Sequence, residues 1–217
     1  MAFQKNRLWH LAQRLEWWWW RKYLHNKDTD TYLSWKRQYW SDFVMKLPST
    51  FHHITQKNIL DAGCGPAGIF MIMGENTVTA LDPLLNQYDT LAHFDRQQYP
   101  YCTFINSSIE SYSPAHPYDY VFSLNAINHV ADLPLCIRNI YDYLRDGGTA
   151  VISTDVHRYP LLKKLLRIIP TDALHPQQDD AKDYMNMLEK TGFKHIEILP
   201  LEPENPLFDY VCFIAKK

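Results

Sequence analysis

Asn58-Ile59-Leu60-Asp61-Ala62-Gly63-Cys64-Gly65-Pro66-Ala67-Gly68 decides the fold. A short β-prone run, Asn58 to Leu60, meets a carboxylate and then three glycines within eight residues, in a chain that has only 7 glycines among its 217 residues. Gly63 and Gly65 allow a tight turn with the backbone close to a ligand, and Gly68 lets the short helix that follows, reaching to about Met73, pack near the sheet. About one βαβ half-unit later the run Thr77 to Leu81 ends in Asp82, placed to accept hydrogen bonds from both hydroxyls of a ribose.

Outward from this turn, β-prone runs alternate with helical ones, the mark of a parallel sheet with crossover helices. The expected strands are Asn58 to Leu60, Thr77 to Leu81, Cys102 to Ile105, Tyr120 to Leu124, Thr149 to Ser153, Ile196 to Leu199 and Tyr210 to Ala215. One helix begins after Asp132, carries Leu133, Ile137, Ile140, Tyr141 and Leu144 on one face, and is expected to stop at Gly147 and Gly148. Another places Ala181, Tyr184, Met185 and Leu188 together and ends at Gly192. Pro200 to Leu207 is too short for a crossover helix, so the last two strands form an antiparallel hairpin. Ahead of the sheet, about Leu8 to Lys46 contains no Gly or Pro and reads as two helices separated near Asn26 to Thr29 and closed by Pro48. The predicted class is therefore α/β: seven strands, mostly parallel, behind an N-terminal helical cap. Residues 1–50 form the cap segment and 51–217 the ligand-binding domain.

Lys plus Arg number 22 and Asp plus Glu 24, so the net charge of −2 lacks the basic excess that draws a domain to phosphate backbones. No nucleic-acid partner is expected. The 4 cysteines show no paired metal spacing and read as reduced thiols of a cytoplasmic protein. Arg7, Arg14, Glu16, Arg21 and Lys22 interrupt every apolar run near the N-terminus, which speaks against a signal peptide or a bilayer span.

In an open α/β sheet the ligand lies beyond the carboxyl ends of the strands. The first strand leads to Asp61, Gly63, Cys64 and Gly65, and the second to Asp82. Ser108, Ile109 and Glu110 follow the third, Asn125 and His129 the fourth, and Asp155 and His157 the fifth. A ribose-binding acid, a glycine turn and facing ionisable residues describe an adenosyl site with an acceptor pocket beside it. The spacing of Gly63, Gly65 and Gly68 equally fits a dinucleotide, so the glycines alone do not separate a nicotinamide cofactor from S-adenosylmethionine. Asp61 bears on the choice: it would repel a pyrophosphate and attract an ammonium and a sulfonium.

Ile59 to Pro66, Ala80-Leu81-Asp82-Pro83, Tyr118-Asp119-Tyr120-Val121-Phe122 and Tyr143-Leu144-Arg145-Asp146-Gly147-Gly148, in this order, resemble the class I (Rossmann-like) S-adenosylmethionine-dependent methyltransferase family over roughly Lys57 to Lys217. The resemblance implies that Asp61 and the backbone at Gly63, Cys64 and Gly65 hold the methionine moiety, that Asp82 holds the ribose, and that Ser108 and Ile109 flank the adenine; Asn125, after the fourth strand, is a further cofactor-binding candidate. Where the family often has Asp, this chain has Ser108, which weakens the expected bond to the adenine amino group.

His129 reads as a general base, as a wall of the acceptor pocket, or as a satisfied histidine near a helix start. Asp155 and His157 stand as further catalytic candidates, and the three together could also hold a metal, although no metal is expected. The chain lacks the Asn-Pro-Pro-Tyr, Pro-Cys and double-glutamate motifs that would mark nucleic-acid or protein-arginine acceptors. A small-molecule acceptor, apolar or lipid-like, is the expectation. The alternatives are a nicotinamide-dependent oxidoreductase and a non-catalytic, cofactor-binding regulatory subunit. Trp17, Trp18, Trp19 and Trp20 point around nearly the whole circumference of a helix, so one buried face cannot hold them all. They fit either packing between the core and a lid or second subunit, giving a homodimer, or peripheral contact with a membrane or lipid-like substrate.

Overall fold

The computed structural model describes residues 2–157, 180–201 and 208–217. Seven strands, β1 (Asn58–Ala62), β2 (Thr77–Leu81), β3 (Cys102–Ile105), β4 (Tyr118–Leu124), β5 (Leu144–His157), β6 (Lys194–Leu201) and β7 (Phe208–Lys216), form one sheet in the order β3-β2-β1-β4-β5-β7-β6. The first five are parallel; β7 runs antiparallel between β5 and β6. The expected terminal pair is present, and its connection at 202–207 lies outside the described residues.

Strand residues alternate between two cores. Ile59, Phe122, Val151 and Cys212 enter one, and their neighbours Leu60, Val121, Ile152 and Phe213 enter the other. Such two-sided burial is why the central strands read as continuous apolar runs. Helices α4 (Leu133–Tyr143) and α5 (Ala181–Thr191) cover the second face. Asp132 caps α4 by accepting the Leu135 N–H, and the capping box of Asp180 and Asp183 starts α5, which ends as expected at Gly192.

The first face is covered differently. Behind the glycine turn stands only the 3₁₀ turn Ile69–Ile72, too short to shield a sheet face. The N-terminal pair does so instead: α1 (Ala2–Leu24) and α2 (Thr29–Lys46), with Asp28 capping the second. Trp40, Phe43, Val44 and Leu47 join Ile59, Phe70 and Phe122 in one apolar cluster. The Trp40 indole donates to the Ala67 carbonyl at 2.9 Å, tying α2 to the glycine turn. A one-turn helix, α3 (Leu85–Tyr88), places the buried Tyr88 against Trp17 and Trp20.

One expected boundary is corrected. The helix after Asp132 stops at Tyr143, before Gly147 and Gly148, and both glycines belong to β5. Leu144 leaves the helix because it pairs with Tyr118, and Lys217 donates to the Leu144 carbonyl at 2.7 Å. Gly147, at φ +74°, kinks a strand there and caps no helix.

Candidate active site

The turn after β1 is built by close approach. Gly63 sits at φ +79°, and a β-carbon on it would fall on the Ala126 methyl of the loop after β4. Its N–H and that of Cys64 both donate to the Leu81 carbonyl, at 2.7 and 3.1 Å. The turn thereby hangs from the end of β2. Gly65 N–H in turn donates to Asp82 Oδ2 at 3.0 Å, and Leu84 N–H to Oδ1 at 2.8 Å. Each Asp82 oxygen thus takes one backbone donor and keeps acceptor capacity for another.

Beyond the strand ends lies a cavity of about 520 Å³, in the range of small-molecule and cofactor sites. Gly63, Cys64, Gly65, Asp82, Ser108, Ile109, Asn125, His129 and Asp155 all line it. Asn125 is held at φ +53° and donates its N–H to the Ser153 carbonyl at 2.9 Å, which fixes the loop leading to His129. His129 closes the 3₁₀ turn Ile127–His129, its N–H on the Ala126 carbonyl.

Among the anticipated residues whose side chains are described, Asp61 alone does not line the cavity. Asp61 lies behind the cavity wall, 2% exposed, and its Oδ2 accepts the Phe70 N–H at 3.1 Å, so it braces the turn from below. His157 ends β5, and its side chain lies outside the described residues.

The rest of the wall joins Glu110 and Trp20, both noted in the sequence, to residues that sequence reading passed over. Gln13, Glu16 and Trp20 of α1, Tyr39 and Trp40 of α2, Glu110 after β3 and Tyr210 of β7 all line the cavity. Tyr210 OH lies 2.7 Å from Ser153 Oγ. Glu110 Oε1 accepts the Ala131 N–H at 2.8 Å, holding the segment after His129. The one signal in the sequence was helical spacing: 13, 16 and 20 share a face of α1. The four consecutive tryptophans divide. Trp17 and Trp20 pack inward near Tyr88, whereas Trp18 and Trp19 are 57% and 43% exposed.

Acidic groups are crowded here. Burial pushes Asp82 up to about 6, against the pull of the Leu84 and Gly65 N–H groups. Burial likewise raises Asp61 to about 7, opposed by the Phe70 N–H. Glu16 rises furthest, to about 8, through burial and then the neighbouring Asp82 charge. Burial, with Asp82 and Asp61 nearby, keeps the Cys64 thiol protonated. A phosphate would be repelled by this set, whereas a hydroxyl-bearing, cationic ligand satisfies it. The acceptors on Asp82, the open turn and the cavity volume all fit an adenosyl group.

A methyltransferase-domain family model matches residues 32–198. The chain belongs to this methyltransferase-domain family, and its fold is that of the class I, Rossmann-like methyltransferases. That membership settles the ambiguity left by the glycine spacing.

Among curated relatives, the ubiquinone biosynthesis O-methyltransferase of Rickettsia prowazekii is 31% identical over 114 residues, 51% of this chain and 45% of that protein. The tRNA U34 carboxymethyltransferase of Alteromonas mediterranea is 26% identical over 204 residues, 83% of this chain and 57% of that protein. The chain thus spans about half the length of the curated relatives it matches. Among solved structures, magnesium protoporphyrin IX methyltransferase of Synechocystis, with bound S-adenosylhomocysteine, superposes with a TM-score of 0.67 at 15% identity, covering 98% of this chain and 99% of that one. The N-methyltransferase NodS of Bradyrhizobium japonicum, in complex with S-adenosylhomocysteine, gives 0.62 at 14% identity, covering 83% and 87%. Likeness at this identity concerns the fold.

Proposed function

We propose that the chain transfers a methyl group from S-adenosylmethionine to a small-molecule acceptor with an apolar, planar body. The observation that carries this reading is that one cavity joins the Gly63–Gly65 turn and Asp82 to an aromatic wall from α1 and α2 and to His129 and Asp155. In this reading Asp82 and the turn hold the adenosyl half, Ser108 and Ile109 flank the adenine, and Asn125 borders the reacting end. Bound S-adenosylmethionine supplies a methyl group already activated for displacement. The protein's share is then orientation and exclusion of water, with His129 taking a proton when the acceptor is a hydroxyl. Asp155 and His157 are further candidates at that end.

The Rickettsia relatives are named for ubiquinone biosynthesis, and an aromatic wall suits a quinone-like ring. The Alteromonas relative is named for tRNA, but a net charge of −2 offers no field for a polyanion. In this proposal residues 1–50 act as a cap over the acceptor, with α2 serving also as core. No described helix is long and apolar enough to cross a membrane. A peripheral bilayer contact through the outward face of α1 belongs to the same reading, and an intracellular, cytoplasmic setting suits the unpaired cysteines.

Calorimetric titration with S-adenosylhomocysteine tests the cofactor half. Wild-type protein should bind it, and Asp82→Ala should weaken binding by about 10-fold or more, the scale of a hydrogen bond to a charged group. Equal affinities would remove Asp82 from the site.

A further inference from the structure

Glu16 is the single acidic residue of α1, and it is turned into the cavity. Gln13, Glu16 and Trp20 lie on one helical face, and the place of a β-carbon on Gly65 would be 3.6 Å from the Trp20 ring. This face therefore sits directly over the glycine turn. Gln13 is only 9% exposed, yet its Oε1 has no hydrogen-bond partner among the described residues. Its Nε2 reaches Glu16 Oε2 at 3.4 Å, beyond the length of a good N–H···O bond. Buried acceptors in native proteins are nearly always satisfied, and one left open on a cavity wall calls for a donor from whatever fills the cavity. Glu16 adds to the same demand, because its carboxyl faces Asp82 and, among the described residues, meets the neutral donors of Gln13 and Trp20.

The Gln13 carbonyl, the Asp82 carboxyl and the Glu16 carboxyl, whose carbonyl oxygen accepts even when the group is protonated, thus border one space. A ligand that suits them carries several neutral donors close together, as the two hydroxyls of a ribose do. An anionic ligand is disfavoured by the carboxyls. We infer that Gln13 and Glu16 are cofactor-binding residues that join Asp82 around the ribose of S-adenosylmethionine, so that α1 completes the cofactor site as well as covering the acceptor. The inference rests on the methyltransferase reading above. It makes ordering of α1 and cofactor binding parts of one equilibrium.

The test uses the full chain, with S-adenosylhomocysteine and 5′-methylthioadenosine as probes in calorimetry, and thermal melts without ligand. The second probe keeps the ribose and lacks the amino-acid end. Gln13→Leu and Glu16→Leu should each weaken both probes by about 10-fold. The ligand-free melting temperature should hold or rise, because each substitution removes a buried polar group short of partners. Glu16→Gln, which keeps a carbonyl acceptor, should retain most of the affinity. Unchanged affinity in both leucine variants, alongside loss in Asp82→Ala, overturns the inference while the methyltransferase reading stands. Weakening confined to S-adenosylhomocysteine overturns the ribose assignment. Weakening with a matching fall in ligand-free stability marks a structural role and overturns it too. Failure of the wild-type protein to bind either probe removes the underlying reading itself.

Discussion

A β-carbon at Gly68 would press on the Asp61 carboxylate and the Cys64 carbonyl, both held in place, whereas one at Gly147 would meet nothing within 4 Å. The two glycines therefore answer different needs, space in one case and a positive φ in the other. Gly68→Ala should cost about 1–3 kcal/mol, as overpacking of a fixed site does. Gly147→Ala, strained only in its backbone, should cost about 1 kcal/mol. Denaturant unfolding of the two variants separates the cases, and equal losses would contradict the packing account of Gly68. The raised carboxyls give a second expectation. Glu16, Asp61 and Asp82 are neutral more readily in the folded than in the unfolded chain, so the stability linked to them is full below their ordinary values near 4 and is lost as pH rises through about 6 to 8. The ligand-free melting temperature should fall between roughly pH 5 and 8. Glu16→Gln should flatten the upper part of that slope, and a flat wild-type profile would show that these carboxyls ionise freely when folded. At this scale the sequence was partly legible. Gly63, Gly65 and Asp82 announce themselves because the hydrogen bonds that tie the turn to the end of β2 are made within a single strand-turn-strand unit. Glu16 does not, because what makes it unusual is the docking of its helix, which sets it, more than sixty residues from Asp82 in the chain, against that residue.

At the scale of elements, α1 faces two ways. Leu11, Leu15 and Trp18 form its exposed apolar arc, with Arg14, Arg21 and Lys22 exposed beside it, Trp19 at the cavity rim stacked on Tyr23, and Glu16 turned away. Lys22 lies 5.0 Å from the Trp18 ring, in the pairing of cation and indole favoured at lipid headgroups. The full chain should therefore co-float with phosphatidylglycerol vesicles, more weakly as salt rises. Trp18→Ala combined with Leu15→Ala should lose that binding while changing stability by no more than about 0.5 kcal/mol each, as exposed positions do. Equal recovery of wild type and double variant would assign the arc elsewhere, and a concentration-dependent dimer disrupted by the same pair would assign it to a second copy. Helical existence in this region was readable from the absence of Gly and Pro. The division of the four tryptophans was not, since pattern alone does not say which side the sheet lies on. The end of α4 was misread for a related reason: Gly147 carries the sign of a helix stop, but pairing of Leu144 with Tyr118 ends the helix first.

For the molecule as a whole, the apolar cluster that contains Trp40, Phe43, Val44 and Leu47 also contains Ile59, Phe122 and Val151, so the N-terminal segment and the sheet share a core. In place of a long helix behind the glycine turn, this chain uses residues that precede the sheet. Removal of residues before Pro48 should then do more than open the acceptor pocket. The remaining chain should aggregate and bind S-adenosylhomocysteine poorly, since an uncovered sheet face of this kind is a large apolar patch. A monomeric, fully cofactor-competent truncation, seen by size-exclusion and calorimetry, would mean that α2 contributes little to the fold.

The strand order carries one more consequence. β7 lies between β5 and β6, so the neighbour that completes β5 is drawn from residues 208–216. During synthesis on a ribosome, β5 emerges long before that neighbour exists. Its outer edge, Thr149 to His157, stays an open template while the intervening chain is made, and β6 has no permanent place to pair until β7 arrives. The nascent chain thus passes through a stage in which most of the cofactor pocket can be assembled while the sheet is still sticky on one side, and the protein's exposure to misassembly is set by how quickly its final strand is delivered.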